Sequence, residues 1–141
     1  MTRPPARQVV AAAVPEPPPG LFSNCLAVGD TIHVSGQHAG GPDGTVTGGG
    51  SVVEQTRASL RKIVALVEAA GGGAADIVKL TVYLTEIDRK AEVSAARREF
   101  FGDPMPCSTL VGVNALVMPG LLVEIDAIAV LGAGAGRRQP A

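Results

Sequence analysis

Apolar side chains recur every three or four positions in the segment that follows Ser51, at positions 53, 60, 63, 64 and 67. This spacing places them on one stripe of an α-helix. Ser51 and Glu54 form an S-x-x-E pattern, in which each side chain satisfies a free backbone N–H at the start of a helix. Glycines at positions 71–73 are typical of a helix end. The pattern predicts an amphipathic helix over residues 51–70.

A strict alternation of side chains follows, over residues 76–85. Positions 77, 79, 81, 83 and 85 fall on one face, whereas the apolar positions 78, 80, 82 and 84 fall on the other. Successive side chains of a β-strand point to opposite faces, so this segment is predicted to be a strand with one buried face. A second helix is predicted from Asp88, as N-cap, to about Phe101, because Gly102 and Pro104 follow it.

Short apolar runs predict the remaining strands, at residues 8–14, 21–28, 31–35, 109–116 and 121–131. Gly29 and Asp30 separate two of these runs and predict a two-residue hairpin turn. Residues 36–50 are rich in glycine and are expected to form a mobile loop. The resulting order, β-β-β-α-β-α-β-β, indicates an α+β fold rather than a doubly wound sheet.

The 141-residue length fits a single domain. We place that domain at residues 1–131, including a proline-rich segment at residues 15–20 that cannot pair as a strand. Residues 132–141, with the sequence GAGAGRRQPA, offer little apolar surface and are predicted to form a flexible tail.

Charge and cysteine usage narrow the class of protein. Twelve basic and thirteen acidic residues give a formal net charge of -1, without the basic clusters that nucleic-acid binding requires. No apolar run approaches the roughly 18 residues of a membrane span, and the apolar run at residues 9–14 is too short for a secretory signal. Two cysteines without metal-ligand spacing fit a reducing compartment. We therefore expect a cytoplasmic protein that binds neither nucleic acid nor membrane.

Two acids, Glu124 and Asp126, stand inside the last predicted strand. Period-two geometry places them on the same face, about 7 Å apart. A strand that is apolar on both faces is usually covered on both, by helices or by another subunit. Two interpretations stay open for Glu124. In the first, its carboxylate forms an ion pair or lies at a solvated edge of the sheet. In the second, it is a base with a raised pKa in a partly enclosed cleft.

A series of short motifs occurs in a fixed order over about residues 20–130. The motifs are GDTIHVSGQ at 29–37, EQT at 54–56, AG at 70–71, DIVK at 76–79, VYLT at 82–85, FFG at 100–102 and VEIDAIA at 123–129. Together they resemble the Rid (reactive intermediate deaminase, or YjgF-like) family. The resemblance implies a chorismate-mutase-like α+β fold, with a mixed sheet and two helices on one face, assembled as a homotrimer. It also implies small-molecule clefts at the subunit interfaces.

Active members of that family resemble hydrolases that release ammonia from reactive imines and enamines, without a metal or organic cofactor. On the matching positions, Glu124 corresponds to the acid that positions or activates the attacking water. Ser35 and Gly36 correspond to a Ser-Gly pair in the wall of the cleft. These three residues are the part of the family site that this chain retains.

The chain departs from the family pattern at the residue that grips the substrate. Active members have Pro-Ala-Arg-Ser where this chain has Met105-Pro106-Cys107-Ser108, so Cys107 replaces the arginine. A thiol cannot form the charged bidentate clamp of a guanidinium. We include Cys107 and Ser108 among the substrate-binding residues, together with Phe22, which stands where Tyr is usual.

Three functions are compatible with these residues. The first is an imine or enamine hydrolase whose substrate need not carry a carboxylate. The second is a non-catalytic protein that binds a metabolite or a protein partner through the same cleft. The third, the endoribonuclease label of some relatives, fits poorly with a slightly acidic chain. Cys107 itself is open to two interpretations, a reactive thiol or a small packing residue.

Overall fold

The computed structural model describes residues 2–140. The main elements are β1 (Ala6–Gln8), β2 (Cys25–Val28), β3 (Thr31–His38), α1 (Val52–Ala69), β4 (Ile77–Leu84), α2 (Lys90–Arg97), β5 (Cys107–Gly112) and β6 (Val123–Val130). The six strands form one mixed sheet in the order β1-β2-β3-β6-β4-β5. Strands β4 and β5 run parallel, and all other neighbouring strands run antiparallel. Within residues 2–140, neither helix is long and apolar enough to cross a membrane.

The core lies between the sheet and the two helices, which cover one face of the sheet only. Helix α1 contacts β3, β6 and α2. The sheet contributes alternate residues to this core, so that Val123, Ile125 and Ala127 of β6 are buried while the residues between them are half-exposed. The predicted α+β fold, with a mixed sheet and two helices on one face, is confirmed.

Helix α1 begins and ends close to the predicted positions. Ser51 Oγ accepts a hydrogen bond from the Glu54 N–H at 3.1 Å, as the S-x-x-E pattern predicts. The reciprocal bond is absent, because the Ser51 N–H donates to the Gly48 carbonyl at 3.0 Å and the Glu54 carboxylate pairs with Arg57. The buried stripe begins at Val52 rather than at position 53. Gly71, with φ of 102°, lies just beyond the helix end.

The register of β4 differs from a simple alternation. A bulge between Ile77 and Lys79 shifts the pairing with β6. As a result, Ile77 is buried although the alternation placed it on the same face as Lys79 and Tyr83. Of the positions predicted to be buried, Leu80, Val82 and Leu84 are fully buried, but Val78, which lies inside the bulge, is only half-buried.

Several predicted boundaries are wrong at the edges of the fold. The first strand is Ala6–Gln8, not 8–14, because pairing with β2 ends where the chain turns toward the proline-rich segment. Strand β3 continues to His38, through the start of the predicted loop, because β6 pairs with it there. Strand β5 starts at Cys107 and ends at Gly112, whereas apolar character alone predicted 109–116.

The second helix is shorter than predicted. A 3₁₀ turn at Ile87–Arg89 contains Asp88, so this residue is not the N-cap, and α2 runs only from Lys90 to Arg97. Val93 and Ala96 of the predicted stripe are buried, but Ala91 is exposed. The helix ends early because the chain turns at residues 98–100 to bury Phe101.

The C-terminal segment has packing partners that the sequence did not predict. The Gly134 N–H donates to Asp76 at 2.8 Å, and the Arg138 N–H donates to the Asp103 carbonyl at 3.0 Å. The Arg137 guanidinium donates to the Ile77 carbonyl at 2.7 Å. The expectation that residues 132–140 have nothing to contact is therefore wrong, although the flexibility predicted for this tail stays a prediction.

Candidate active site

Glu124 lies on the open face of the sheet, beside a bulge in β3. The register of β3 against β6 shifts between Val34 and Gln37, which leaves Ser35 and Gly36 in the bulge. A Cβ atom built on Gly36 would lie 2.9 Å from Cδ of Glu124, closer than any normal contact. The Glu124 carboxylate therefore occupies the space that a side chain at position 36 would need, and only glycine at that position leaves this space free.

The electrostatic surroundings of Glu124 favour its protonated form. Partial burial raises the pKa of Glu124, and the nearby charge of Asp126 raises it further. Among residues 2–140, no cation lies within 4.0 Å of Glu124, and none donates a hydrogen bond to it. Of the interpretations offered by the sequence, an ion pair does not fit, whereas an acid at a solvated edge and a base in a cleft both remain open.

Asp126, by contrast, has a partner. Tyr83, which lies opposite Glu124 on β4, donates its hydroxyl hydrogen bond to Asp126 at 2.9 Å. This hydrogen bond is the main cause of the raised pKa of Tyr83. No role was predicted for Tyr83 from the sequence. The alternation in β4 could have indicated one, because it places residue 83 on the face of the sheet opposite the core.

Phe22, Ser35 and Gly36 border one open cavity of about 520 Å³, together with Asp126. Ser35 Oγ donates to the Ser23 carbonyl at 2.6 Å, which ties the segment carrying Phe22 to the bulge. The Phe22 side chain is 55% exposed and presents an apolar ring at this cavity. Three of the predicted site residues, Phe22, Ser35 and Gly36, therefore border one cavity, and a fourth, Glu124, contacts this group through Gly36.

Cys107 lies on the same face of the sheet but not beside Glu124. It is exposed and pairs with Lys79, which in turn pairs with Ile128, four positions along β6 from Glu124. Four residues span about 13 Å along a strand, and two neighbouring strands add about 10 Å across the sheet. Within one chain, Cys107 and Glu124 are therefore about 16 Å apart.

Ser108 faces the other side of the sheet. It pairs with buried Leu80 and accepts a hydrogen bond from Arg97 of α2 at 2.7 Å. Partial burial lowers the pKa of Arg97, and the neighbouring charge of Arg98 lowers it further. Since this guanidinium lies on the helix side, it does not replace the missing arginine at Cys107 within the same chain.

The other acids, histidines and cysteines within residues 2–140 are the candidate metal ligands and nucleophiles. Within residues 2–140, no group of three or more His, Cys, Asp or Glu side chains is arranged to hold a metal ion. Both cysteines are free thiols. Burial raises the pKa of Cys25 to about 11, so this thiol is a packing residue rather than a nucleophile.

Comparisons with known proteins identify the family. Residues 5–131 match the family model described as Endoribonuclease L-PSP. A 2-iminobutanoate/2-iminopropanoate deaminase from Capra hircus is 32% identical over 126 residues, which cover 89% of this chain and 91% of that protein. A RutC family protein from Pyrococcus abyssi is 33% identical over 124 residues, covering 88% of this chain and 97% of the relative.

Solved structures share the same fold. The YjgF gene product of E. coli superposes with a TM-score of 0.76 at 33% identity and covers 88% of this chain and 98% of its own. A protein of unknown function from Pseudomonas aeruginosa superposes with a TM-score of 0.80 at 40% identity, covering 91% and 94%. With its chorismate-mutase-like fold and its match over residues 5–131, the chain belongs to the Endoribonuclease L-PSP family, the Rid/YjgF proteins.

Proposed function

We propose that this protein is a hydrolase of small imines or enamines that uses Glu124 as its base. The observation that carries the proposal is the position of the Glu124 carboxylate, which fills the space that a side chain at Gly36 would need and has no neutralising partner within residues 2–140, while Gly36 itself borders the open cavity. The relative from Capra hircus is a 2-iminobutanoate/2-iminopropanoate deaminase.

The reaction requires two proton transfers through the same carboxylate. Glu124 accepts a proton from water as the water oxygen bonds to the carbon of the C=N group, and it gives this proton to nitrogen, which forms a neutral carbinolamine. Glu124 then accepts the hydroxyl proton of the carbinolamine as the C=O bond forms, and it gives that proton to nitrogen as the C–N bond breaks, so that ammonia and a carbonyl compound leave. A raised pKa suits this role, because a base works best when its pKa approaches the operating pH.

The preferred substrate differs from that of arginine-containing relatives. Cys107 stands at the matching position, and Arg97 is engaged with Ser108 on the other side of the sheet. Loss of a charged hydrogen-bonding partner for a substrate carboxylate costs on the order of 2 to 5 kcal/mol. We expect hydrolysis of 2-imino acids to be at least about 30-fold slower than in such relatives.

Assembly as a homotrimer is part of the proposal. Helices cover one face of the sheet, whereas the face with Glu124 and Cys107 is open in a single chain. A second chain against this face would cover it, and would allow Cys107 of one subunit to approach Glu124 of another although they are about 16 Å apart within a chain. We place this assembly in the cytoplasm, as the composition suggests.

A non-catalytic metabolite-binding protein is the second candidate. The observation that favours it is the absence of a guanidinium at position 107, since the ammonium of Lys79, which pairs with Cys107 from the neighbouring strand, donates to Thr109 at 2.7 Å. Such a protein would retain the cavity and its Phe22 ring but would not turn over substrate.

The decisive experiment measures ammonia release from 2-iminopropanoate, and from the uncharged imine of acetone, by the wild type and by Glu124→Gln. A hydrolase is expected to accelerate hydrolysis of the uncharged imine, and Glu124→Gln is expected to lose at least 100-fold, the scale of a general base. Glu68→Gln, on the exposed side of α1, is the matched control and should keep full activity. Equal rates for wild type and Glu124→Gln on both substrates would favour the binding protein.

A further inference from the structure

A second, larger cavity adjoins the Glu124 site through Gly36 and His38, and lies between the proline-rich segment and Lys62 of α1. Its volume is about 600 Å³, within the range of small-molecule sites. Its walls are mostly apolar and include Val14, Pro17, Leu21, Phe22, Val117 and Met118. Large apolar side chains at its mouth are strongly exposed, with Leu21 at 65% and Val117 at 76%. An apolar lining of this kind favours a ligand with a hydrocarbon or aromatic body.

One cation enters this apolar cavity from α1. Lys62 is half-buried, and Nζ donates to the His38 carbonyl at 2.7 Å and to the Gly40 carbonyl at 3.0 Å. An ammonium has three N–H donors, so one remains free. No carboxylate of residues 2–140 lies within 4.0 Å of this ammonium. A partly buried charge without an acid partner is costly, and a bound anion would offset that cost.

A second donor lies beside it. His38 also borders the cavity, and its Nδ1 accepts a hydrogen bond from the Gly40 N–H at 3.0 Å. The proton of the neutral ring therefore sits on Nε2, which is left as a donor. Partial burial, and then the charge of Lys62, lower the pKa of His38, which keeps the ring in this neutral form.

The one acid of the cavity wall is already engaged. Glu16 accepts hydrogen bonds from Gln8 at 3.3 Å and from Asn24 at 3.5 Å, on the side of the proline-rich segment. Asn24 and Gln37 also border the cavity, but their amide N–H groups donate to other groups of the protein. The side-chain donors left for a ligand are therefore the Lys62 ammonium and the His38 N–H. Both are donors, which matches the two acceptor oxygens of a carboxylate.

We propose that this cavity is a binding site for a small carboxylate with an apolar body, its carboxylate held by Lys62 and His38 and its body against Phe22 and Met118. The two anchors, Lys62 and His38, do not border the first cavity, although Phe22 and Gly36 border both cavities and His38 pairs with Glu124 across the strands. Binding here requires no activity at Glu124.

The test uses phenylacetate as the probe and phenylacetamide as its uncharged counterpart. In protein labelled with ¹³C at the methionine methyls, phenylacetate is expected to shift the Met118 signal and to leave Met105, which is exposed ahead of β5, unchanged. Phenylacetamide is expected to bind at least tenfold more weakly to the same wild-type protein. Equal binding of the two probes, or no Met118 shift, would overturn the proposal without any variant.

Variants then identify the anchor. Lys62→Gln keeps a donor for the two carbonyls but loses the charge, and is expected to weaken phenylacetate binding at least tenfold. Lys90→Gln is the matched control, because Lys90 is exposed on α2. Glu124→Gln should bind phenylacetate as the wild type does, so a failed hydrolase assay leaves this result intact. Undiminished binding by a folded Lys62→Gln protein would contradict the assignment, and loss of binding in Glu124→Gln would move the probe to the other cavity.

Discussion

The two faces of strand β6 have opposite compositions and opposite surroundings. Toward the helices, Val123, Ile125 and Ala127 are almost completely buried, and the neighbouring strand β4 adds Leu80 and Val82, which are fully buried. Toward the open side, the same strand presents Glu124 and Asp126, each half-exposed. The helix-covered face forms the hydrophobic core, and the open face carries the two carboxylates.

The difference shows how one sheet separates stability from chemistry. The helix-covered face gains about 25 cal/mol for each Å² of apolar surface removed from water. The open face contributes less, because its acids lose hydration without gaining ion pairs within residues 2–140. This lack of compensation is what leaves Glu124 with a raised pKa.

The largest effect is expected from neighbouring substitutions on opposite faces of β4. Leu80→Ala removes a fully buried side chain and should lower the free energy of unfolding by about 2–5 kcal/mol. Thr81→Ala, one position along and half-exposed, should cost less than about 1 kcal/mol. Urea denaturation of both variants measures the two values. Similar losses would show that the open face is as tightly packed as the core.

The second prediction concerns assembly on the open face. The wild type is expected to scatter light as three copies of the 14.2 kDa chain. Ile128→Lys places a charge in the middle of this face and should yield monomers, because an unpaired charge in a covered interface costs several kcal/mol. Glu68→Lys, exposed on α1, should leave the mass unchanged. A wild type of single-chain mass would refute the trimer and the shared site.

The third prediction restores the missing charge. Cys107→Arg is expected to raise hydrolysis of 2-iminopropanoate at least tenfold, since each bidentate contact with a carboxylate is a strong, charge-assisted pair. The gain should vanish in the double variant with Glu124→Gln. Cys107→Lys separates the effect of charge from that of bidentate hydrogen bonding, because lysine supplies the positive charge without the two parallel N–H donors of a guanidinium. A folded, trimeric Cys107→Arg protein without any gain would show that the substrate no longer carries a carboxylate.

The smallest effect concerns pH. The pKa of Glu124 is raised in the folded chain above its ordinary value of 4.5, so its contribution to stability is full below about that pH and is lost as pH rises through the raised pKa. Glu124→Gln should therefore raise the Tm at pH 7.5 by about 1–4 °C, with a difference that shrinks toward pH 4. Thermal unfolding across this range measures it. A Tm difference that does not vary with pH would assign the effect to packing.

Local patterns in the sequence determined much of the architecture. Helix α1 follows from its apolar stripe and its Ser51 cap, and β4 follows from its alternation, because periodicity and capping depend on residues close together in the chain. The placement of Glu124 and Asp126 on one face follows from the same period. The motif order was sufficient to indicate the family, which the comparisons then established.

Only the tertiary structure decided where those residues meet. The bulge that places Gly36 under Glu124, the distance from Cys107 to Glu124, and the entry of Lys62 into a cavity all depend on pairing between segments far apart in sequence. A shift of one residue in register moves every side chain of a strand to the other face, as Ile77 shows. No local pattern encodes that register, because it is set by the packing of the whole sheet against its helices.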